Sequence, residues 1–132
     1  MLFDFDLRVP AGTLRVNPAS IEARLVKGTL RHVGLFFPPG CASMVDVIVR
    51  DQLNQIAPAN PSGSFNADDS TIEFDMNFTL ESTAHPLIVE GWGQYCRYPH
   101  TIIARFDVTP DGEDDQEALA AYLAEVLLPK EG

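Results

Sequence analysis

Strict alternation of apolar and polar residues is the strongest pattern in this sequence. Between Ile72 and Leu80, five apolar positions interleave with four polar ones without an exception. Successive side chains of a strand point to opposite faces, so this period of two predicts a β-strand with one face on a core and the other in solvent. The segment from Phe3 to Val9 shows the same alternation, which predicts a first strand at the start of the chain.

Further segments between these two and beyond them also have strand patterns. We expect one or two strands over Ile21–Phe37 with Gly28 at a bend or bulge, then Met44–Arg50, Asp51–Ile56 as its extension or as a separate strand, Pro86–Trp92 and Thr101–Val108. The stretch Ala57–Ser64 contains two prolines and a glycine, which is typical of an exposed loop. Seven or eight strands without helices between them exclude parallel βαβ units. They predict an antiparallel β-sandwich or jelly roll over residues 1–110.

Residues 111–132 have a helical pattern instead. Apolar side chains recur there at helical spacing: Leu119, Tyr122, Leu123, Val126 and Leu127. Asp114 followed by Glu117 resembles a capping box, and Pro129 ends the run. This pattern predicts one acidic amphipathic α-helix at the C-terminal end, packed on the sandwich or extending from it.

The charge of the chain limits its partners. Its 19 Asp and Glu against 9 Lys and Arg give a formal net charge of −10. Such a charge argues against binding to the phosphates of nucleic acids or to anionic lipids, so we expect neither nucleic acid nor membrane as a partner. The first residues lack the positive charge of a secretory signal, and no run approaches the roughly 18 apolar residues of a membrane span.

The residue types that carry chemistry in enzymes are scattered along the chain. His32, His85 and His100 lie in different segments, and none has a second metal ligand at strand or helix spacing. Cys41 and Cys96 lack the CxxC spacing of a zinc site, and we expect both to be buried free thiols and not a disulfide. No nucleophile elbow or phosphate-binding loop is present. We therefore expect no catalytic residue, no cofactor and no metal, and a protein that is not an enzyme.

Three oxygen-bearing side chains stand close together at Asn66, Asp68 and Asp69. Such a group either contributes ligands to a calcium site or forms an ordinary Asx turn. Calcium takes six or more oxygens, and the sequence does not show the others, so the turn is the favoured interpretation.

Three aromatic residues gather on a glycine-containing segment between two predicted strands, at Trp92, Tyr95 and Tyr98. Their rings either form a platform on which a sugar stacks, or they close the sandwich and brace the loop. This is the best signal for a small ligand in the sequence.

Several stretches carry a family resemblance: LFFPPGC, VDVIVRD, QIAPANPSGSF, DDSTIEFDMNF and PHTIIARFDV. Their motifs are a Pro-Gly turn, an Asn-Pro-x-Gly loop and a His-Thr opening to the last strand. Together they resemble small sandwich proteins encoded among the structural genes of tailed bacteriophages, some of which decorate or cement the capsid. The resemblance implies a non-enzymatic virion protein, made in the host cytoplasm and placed on the outer capsid surface. Its partners would be the major capsid protein and itself, as a homo-oligomer for which we expect a trimer.

We expect the partner contacts on three surfaces, namely the first strand, the loop after residue 57 and the apolar stripe of the helix. The residues concerned are Phe3, Phe5, Leu7, Asn60, Pro61, Phe65, Leu119, Tyr122, Leu123 and Val126. The alternative is a carbohydrate-binding or host-surface-binding module of a phage tail or fibre, which would use Trp92, Tyr95 and Tyr98. An enzyme on a jelly roll is the third hypothesis.

Overall fold

The computed structural model describes residues 1–82 and 84–111, together with residues 120, 123, 124 and 126. Eight β-strands are present in this part of the chain, which confirms the all-β class. The strands are β1 (Leu2–Val9), β2 (Ala19–Leu25), β3 (Gly28–Phe37), β4 (Asp46–Asp51), β5 (Asn54–Ala57), β6 (Ser70–Leu80), β7 (His85–Trp92) and β8 (His100–Pro110).

The strands form two four-stranded antiparallel sheets. The first sheet has the order β1-β8-β3-β6 and the second has the order β2-β7-β4-β5. The pairing is nested, because β1 pairs with β8, β2 with β7, β3 with β6 and β4 with β5. The chain is therefore one long antiparallel ribbon, folded so that its successive segments alternate between the two sheets.

The core lies between the sheets and is built from the inward rows of the strands. The inward residues predicted for the last strand, Ile102, Ala104, Phe106 and Val108, are fully buried. Phe5 meets Phe106 edge to face, with ring centroids 6.0 Å apart. Burial of these side chains supplies the main stabilisation of a sandwich, about 25 cal/mol for each Å² of apolar surface removed from water.

A β-bulge in β3 keeps the inward row on the core. Leu30 and Val33 both face inward, although they are an odd number of residues apart. Regular alternation would place one of them in solvent. The register of β3 with both β6 and β8 shifts between Leu30 and His32, and this extra residue returns Val33 to the inward face. The bulge thus lies after Gly28, which begins the strand. Arg31 and His32 consequently lie on the solvent side.

Strand β6, the strongest prediction, is confirmed, but its apolar row is only partly buried. Ile72, Phe74, Met76 and Phe78 all have intermediate exposure. Strand β1 contacts β2 and β7 across the sandwich, so the strand orders place edge strand β6 above edge strand β5. Because β5 has 4 residues and β6 has 11, much of the inward row of β6 extends beyond its cover.

Two predictions concern the ends of elements. The loop expected over Ala57–Ser64 begins one residue later, because Ala57 closes β5 and is buried. The predicted helix over 111–132 lies outside the described residues apart from residues 111, 120, 123, 124 and 126. Of these, Leu123 is exposed and Val126 is partly buried against the core. Within the described part of the chain, no helix is long and apolar enough to cross a membrane.

Candidate functional site

Four long connections emerge together at one end of the sandwich. They follow β1, β3, β5 and β7 and comprise residues 10–18, 38–45, 58–69 and 93–99. We call this end the loop end. The opposite end carries the short turns at residues 26–27 and 52–53 and the connection between β6 and β7. Loops placed on a rigid sandwich are the usual position of binding residues.

Two of these loops are joined through one carboxylate. Asp68 Oδ1 accepts hydrogen bonds from the backbone N–H groups of Gly40, at 3.0 Å, and Ala42, at 2.8 Å. The N–H of Ser43 also donates to the carbonyl oxygen of Ala67, at 3.2 Å. Asp68 therefore fixes loop 38–45 against loop 58–69, which is a structural role.

The oxygen donors near Asp68 are used in a similar way. Asn66 donates its side-chain amide to Asp46 Oδ1 at 3.0 Å, and Ser64 donates its hydroxyl to the same oxygen at 2.9 Å. Among the described residues, no group of three or more His, Cys, Asp or Glu side chains is arranged to hold a metal ion. The side chains of Asn66 and Asp68 are thus both engaged in hydrogen bonds within the protein.

The first and last loops are also joined, and Trp92 lies beneath them. The Gly93 N–H donates to the carbonyl oxygen of Thr13 at 3.0 Å. The guanidinium of Arg15 sits 4.9 Å from the centroid of the Trp92 ring, a cation–π contact, and only 8% of Trp92 is exposed. Of the two interpretations of the three aromatic residues, the burial of Trp92 agrees with the one in which it closes the end of the sandwich.

The loop end is rich in exposed apolar side chains. Eight large hydrophobic side chains are exposed among the described residues, and five of them belong to the loop end. They are Leu14 at 47%, Val16 at 90%, Met44 at 40%, Tyr95 at 76% and Tyr98 at 72% exposure. Scattered apolar residues are normal on a surface, whereas a group on adjoining loops indicates a contact site.

A shallow depression lies beside these side chains. Its volume is about 390 Å³, and it is formed by the first loop and the start of β2, from Pro10 and Gly12 to Pro18 and Ala19. Leu14 lines it and is itself half exposed. The loop end therefore presents both a projecting part, at Val16 and the tyrosines, and a concave part.

The two cysteines lie under the loop end. Cys41 and Cys96 are buried and free, as predicted. Burial raises the pKa of both thiols above the ordinary value near 9.0. Since the thiolate is the reactive form, these cysteines are poor nucleophiles and belong to the core.

The three histidines do not meet. His32 lies on the outer face of the first sheet, with Nδ1 2.8 Å from Asp75 Oδ1 and Nε2 3.6 Å from Glu73 Oε1. The hydrogen bond to Asp75, and then the nearby carboxylate of Glu73, raise the pKa of His32 above its ordinary value near 6.5. His85 begins β7 near the opposite end, and His100 begins β8 at the loop end.

The partner contacts expected on β1 are only partly accessible. Phe3 and Phe5 have intermediate exposure and pack against the core. Leu7 is 1% exposed and belongs to the core itself, so the expectation of a partner contact at Leu7 is corrected. Leu7 is buried because strands β2 and β7 of the opposite sheet cover the inward face of β1.

The expected contacts on loop 58–69 divide in the same way. Asn60 and Pro61 are exposed, whereas Phe65 is partly buried and stacks on Phe74 with ring centroids 5.0 Å apart. Of the helix residues, Leu119 and Tyr122 lie outside the described residues.

Sequence reasoning missed Leu14 and Val16. A signal was present, because both are apolar residues in the turn-rich stretch Pro10–Pro18, where no alternation leads to a core. Apolar side chains in a turn that follows no strand period are candidates for exposure.

Comparisons with known proteins give no family. No family model matches the chain, and no curated protein matches it. Among solved structures, it is similar to a protein of Bacillus endospore appendages, which form a family of disulfide-linked pili. The identity is 11%, the TM-score is 0.45, and 84% of this chain and 88% of that chain are covered. It is also similar to the Yersinia pseudotuberculosis-derived mitogen, with 9% identity, a TM-score of 0.43 and coverage of 87% and 92%.

Proposed function

We propose that this chain is a non-enzymatic structural protein that attaches to a protein surface through its loop end. In this proposal the partner is the major capsid protein of a tailed bacteriophage, and the chain decorates the outer surface of the head as a homo-oligomer. The phage setting is the one implied by the resemblance in the strands and loops. The attachment surface is argued from the geometry of the loop end.

The fold in this proposal is a jelly roll. The nested pairs β1·β8, β2·β7, β3·β6 and β4·β5 support it, because a jelly roll is an eight-stranded double sheet in which an antiparallel ribbon is rolled up. Such a roll carries its long loops at one end, where they can be varied without disturbing the core.

The exposed apolar group at the loop end is the observation that carries the proposal. Val16, Tyr95 and Tyr98 each expose more than two thirds of their surface, although most apolar side chains of the same domain are buried between its sheets. Tyrosine is enriched in protein interfaces and among the residues that contribute most to binding, and covering the apolar side chains beside it would be favourable. The loops that carry them are held by hydrogen bonds between loops, which lowers the entropy lost on binding.

The composition of this surface favours a protein over a sugar. A sugar site pairs an aromatic platform with several polar groups for the hydroxyls. Here the aromatic rings share the surface with Leu14, Val16 and Met44, none of which can hydrogen-bond a hydroxyl.

The test is rebinding to capsid shells that lack the protein. The shells are expanded heads assembled from the major capsid protein whose gene lies nearest to this one. We expect the purified chain to co-sediment with these shells and to raise the temperature at which they break. Replacing Val16, Tyr95 and Tyr98 together by Ser is expected to weaken binding by about tenfold or more, because apolar contacts at an interface centre are lost.

A matched control is available on the same molecule. Leu53 is 94% exposed and lies in the turn at the opposite end, so Leu53→Ser also removes an exposed apolar side chain. We expect this variant to bind like the unaltered chain. The proposal is wrong if the unaltered chain binds no shell, or if the loop-end variant folds and still binds normally.

Carbohydrate binding at Tyr95 and Tyr98 is the second candidate, since both rings are largely exposed. The single tryptophan lies beneath the same loops, so its fluorescence would report a bound glycan. A glycan that changes this fluorescence, with loss of the change in Tyr95→Ala and Tyr98→Ala, would favour this function. No response across a broad glycan panel would remove it.

A further inference from the structure

Strand β6 is the longest free sheet edge in the described part of the chain. The other edge strands are β1, β2 and β5, with 8, 7 and 4 residues, whereas β6 has 11. Among the described strands, β6 pairs only with β3, so the backbone N–H and C=O groups on its other side have no strand partner. An unpaired edge of this kind is a template for an added strand.

Apart from two acidic side chains, the edge lacks the features by which proteins usually protect a strand from added partners. Its sequence, STIEFDMNFTL, contains no proline, no lysine and no glycine. Protected edges are short, bulged or interrupted by such residues. The bulge of this sheet lies in β3, and β6 runs on past it for its full length.

The inward row of β6 is incompletely covered. Ile72, Phe74, Met76 and Phe78 are partly buried because β5 beneath them is short. Phe65 covers Phe74 by stacking on it. The remaining apolar surface would be buried if a further strand continued the sheet and placed apolar side chains over the open side of the sandwich.

The outer row of β6 is acidic. Glu73 and Asp75 have side chains that are 65% and 92% exposed, although both also contact His32. The other outer residues of the strand, Thr71, Asn77 and Thr79, are uncharged. Opposite charges on directly facing strands stabilise a pair, and like charges destabilise it.

This charge decides between two occupants. Two copies of β6 paired antiparallel about the central residue would bring Asp75 opposite Asp75, and each Glu73 would lie opposite Asn77 in the next pair on the same face. A second copy of the chain is therefore an unfavourable partner for this edge. A strand with Lys or Arg on the same face is a favourable one.

We propose that the β6 edge accepts an extended segment of a partner protein in which basic residues alternate with apolar ones. Its backbone would hydrogen-bond along β6, its basic side chains would face Glu73 and Asp75, and its apolar side chains would cover the inward row. The full strand offers a length of about 37 Å for this contact. This surface does not include the exposed apolar side chains of the loop end, and the inference depends on the proposed function only in treating the chain as a binding protein.

The experiment uses a synthetic eleven-residue peptide of alternating lysine and valine. In the free protein, every second amide of β6 faces away from β3 and should exchange its hydrogen rapidly with solvent. We expect the peptide to slow the exchange of these amides and not of those in β1. A glutamate–valine peptide should bind at least about tenfold more weakly, because like charges then face each other. Methylation of every second peptide nitrogen should abolish binding.

Two charge reversals give a matched pair. Asp75→Lys should lower the affinity for the lysine–valine peptide about fivefold. Asp6→Lys makes the same change in charge on β1, the other edge of the same sheet, and should leave the affinity unchanged. Thr79→Lys, on the same outer row of β6 but with Thr29 as its register partner, serves as a second variant if Asp75→Lys disturbs His32.

Three outcomes would overturn the inference. The first is unchanged exchange in β6, or equal protection of β1 and β6. The second is protection of all β6 amides in the free chain, which would mean that its edge is already covered. The third is an Asp6→Lys variant that loses affinity as much as Asp75→Lys. A chain with Ser at Val16, Tyr95 and Tyr98 should bind the peptide normally, so failure here is distinguishable from failure at the loop end.

Discussion

At the scale of single residues, two glycines of β3 have opposite surroundings. A Cβ atom on Gly28 would lie 2.2 Å from the Thr109 carbonyl oxygen and 2.8 Å from Pro110 Cα, both backbone atoms of β8. A Cβ on Gly34 would have its closest neighbour at 3.7 Å, a side-chain methyl of Thr71. Only the first position requires glycine for packing.

We therefore expect Gly28→Ala to lower the free energy of unfolding by about 3 kcal/mol, because the backbone of β8 would have to move. Gly34→Ala is the control in the same strand and should change it by less than about 1 kcal/mol. Urea unfolding of both variants measures the difference. Equal stability of the two variants would contradict this account of Gly28.

The carboxylates around His32 give a pH dependence. Asp75 and Glu73 on β6 raise its pKa, and Asp107 on β8 is its register partner. A raised pKa means that the folded state favours the imidazolium. The resulting stability is complete below the unfolded value near 6.5 and is lost as the pH rises through the folded value.

We expect Tm to fall between about pH 6 and about pH 8.5 by a larger amount in the unaltered chain than in His32→Gln. His100→Gln should keep the full dependence, which makes it the control. NMR titration of the imidazole ring measures the pKa directly. A midpoint of His32 at or below 6.5 would refute this prediction.

Leu7 and Trp92 show the limit of sequence reasoning at this scale. Alternation correctly assigned Leu7 to the inward face, yet it could not show how deeply that face is buried at each point. Depth depends on which strand of the other sheet lies opposite. Likewise, the exposure of Trp92 depends on Arg15, which is distant in sequence and reaches it only through the fold.

At the scale of elements, the loops are held by specific side chains. The clearest example is Asp68, which accepts two backbone hydrogen bonds from loop 38–45. Hydrogen bonds to a charged acceptor are stronger than neutral ones, although exposure to solvent reduces their value.

Asp68→Ala should destabilise the protein by about 1 kcal/mol and speed the hydrogen exchange of the Gly40 and Ala42 amides. Asp68→Asn keeps one oxygen acceptor and should have a smaller effect. Millimolar Ca²⁺ should leave Tm unchanged in all three proteins. A rise in Tm with Ca²⁺ that Asp68→Ala abolishes would support the calcium site instead.

Strands β1, β6 and β8 were predictable because each carries its own period of two, whereas the turn between β4 and β5 was not. That turn consists of Gln52 and Leu53, with Gln52 at φ 54°, and contains none of the usual turn residues. The sequence therefore left open whether Asp51–Ile56 continued one strand or began another. The edge position of β6 was equally inaccessible, because its alternation is the same at an edge as in a sheet centre.

At the scale of the whole molecule, the nested pairing distributes neighbouring strands over both sheets. Strands β1, β3, β6 and β8 form one sheet and the rest form the other. Neither four-stranded sheet can therefore form from one contiguous half of the chain. This order could not be predicted, because it depends on contacts between the two ends of the sequence.

We expect the described domain to unfold in one cooperative transition. Fluorescence of Trp92, at the end of the second sheet, and far-UV circular dichroism, which reports all strands, should give the same midpoint in urea. Reversibility is the control, and both probes are measured at the same protein concentration. Separate midpoints would show that one sheet outlasts the other.

The pairing of β1 with β8 also fixes where attachments to the polypeptide emerge. The Met1 amino group donates to the Val108 carbonyl oxygen at 2.6 Å, and the Asp111 N–H donates to the Lys27 carbonyl oxygen at 3.0 Å. Both sites lie at the end of the sandwich opposite the loop end, which carries Val16, Tyr95 and Tyr98. A fluorescent reporter or an enzyme fused before Met1 would therefore emerge at the end of the domain opposite the surface that we propose as the attachment site, and should leave that surface uncovered.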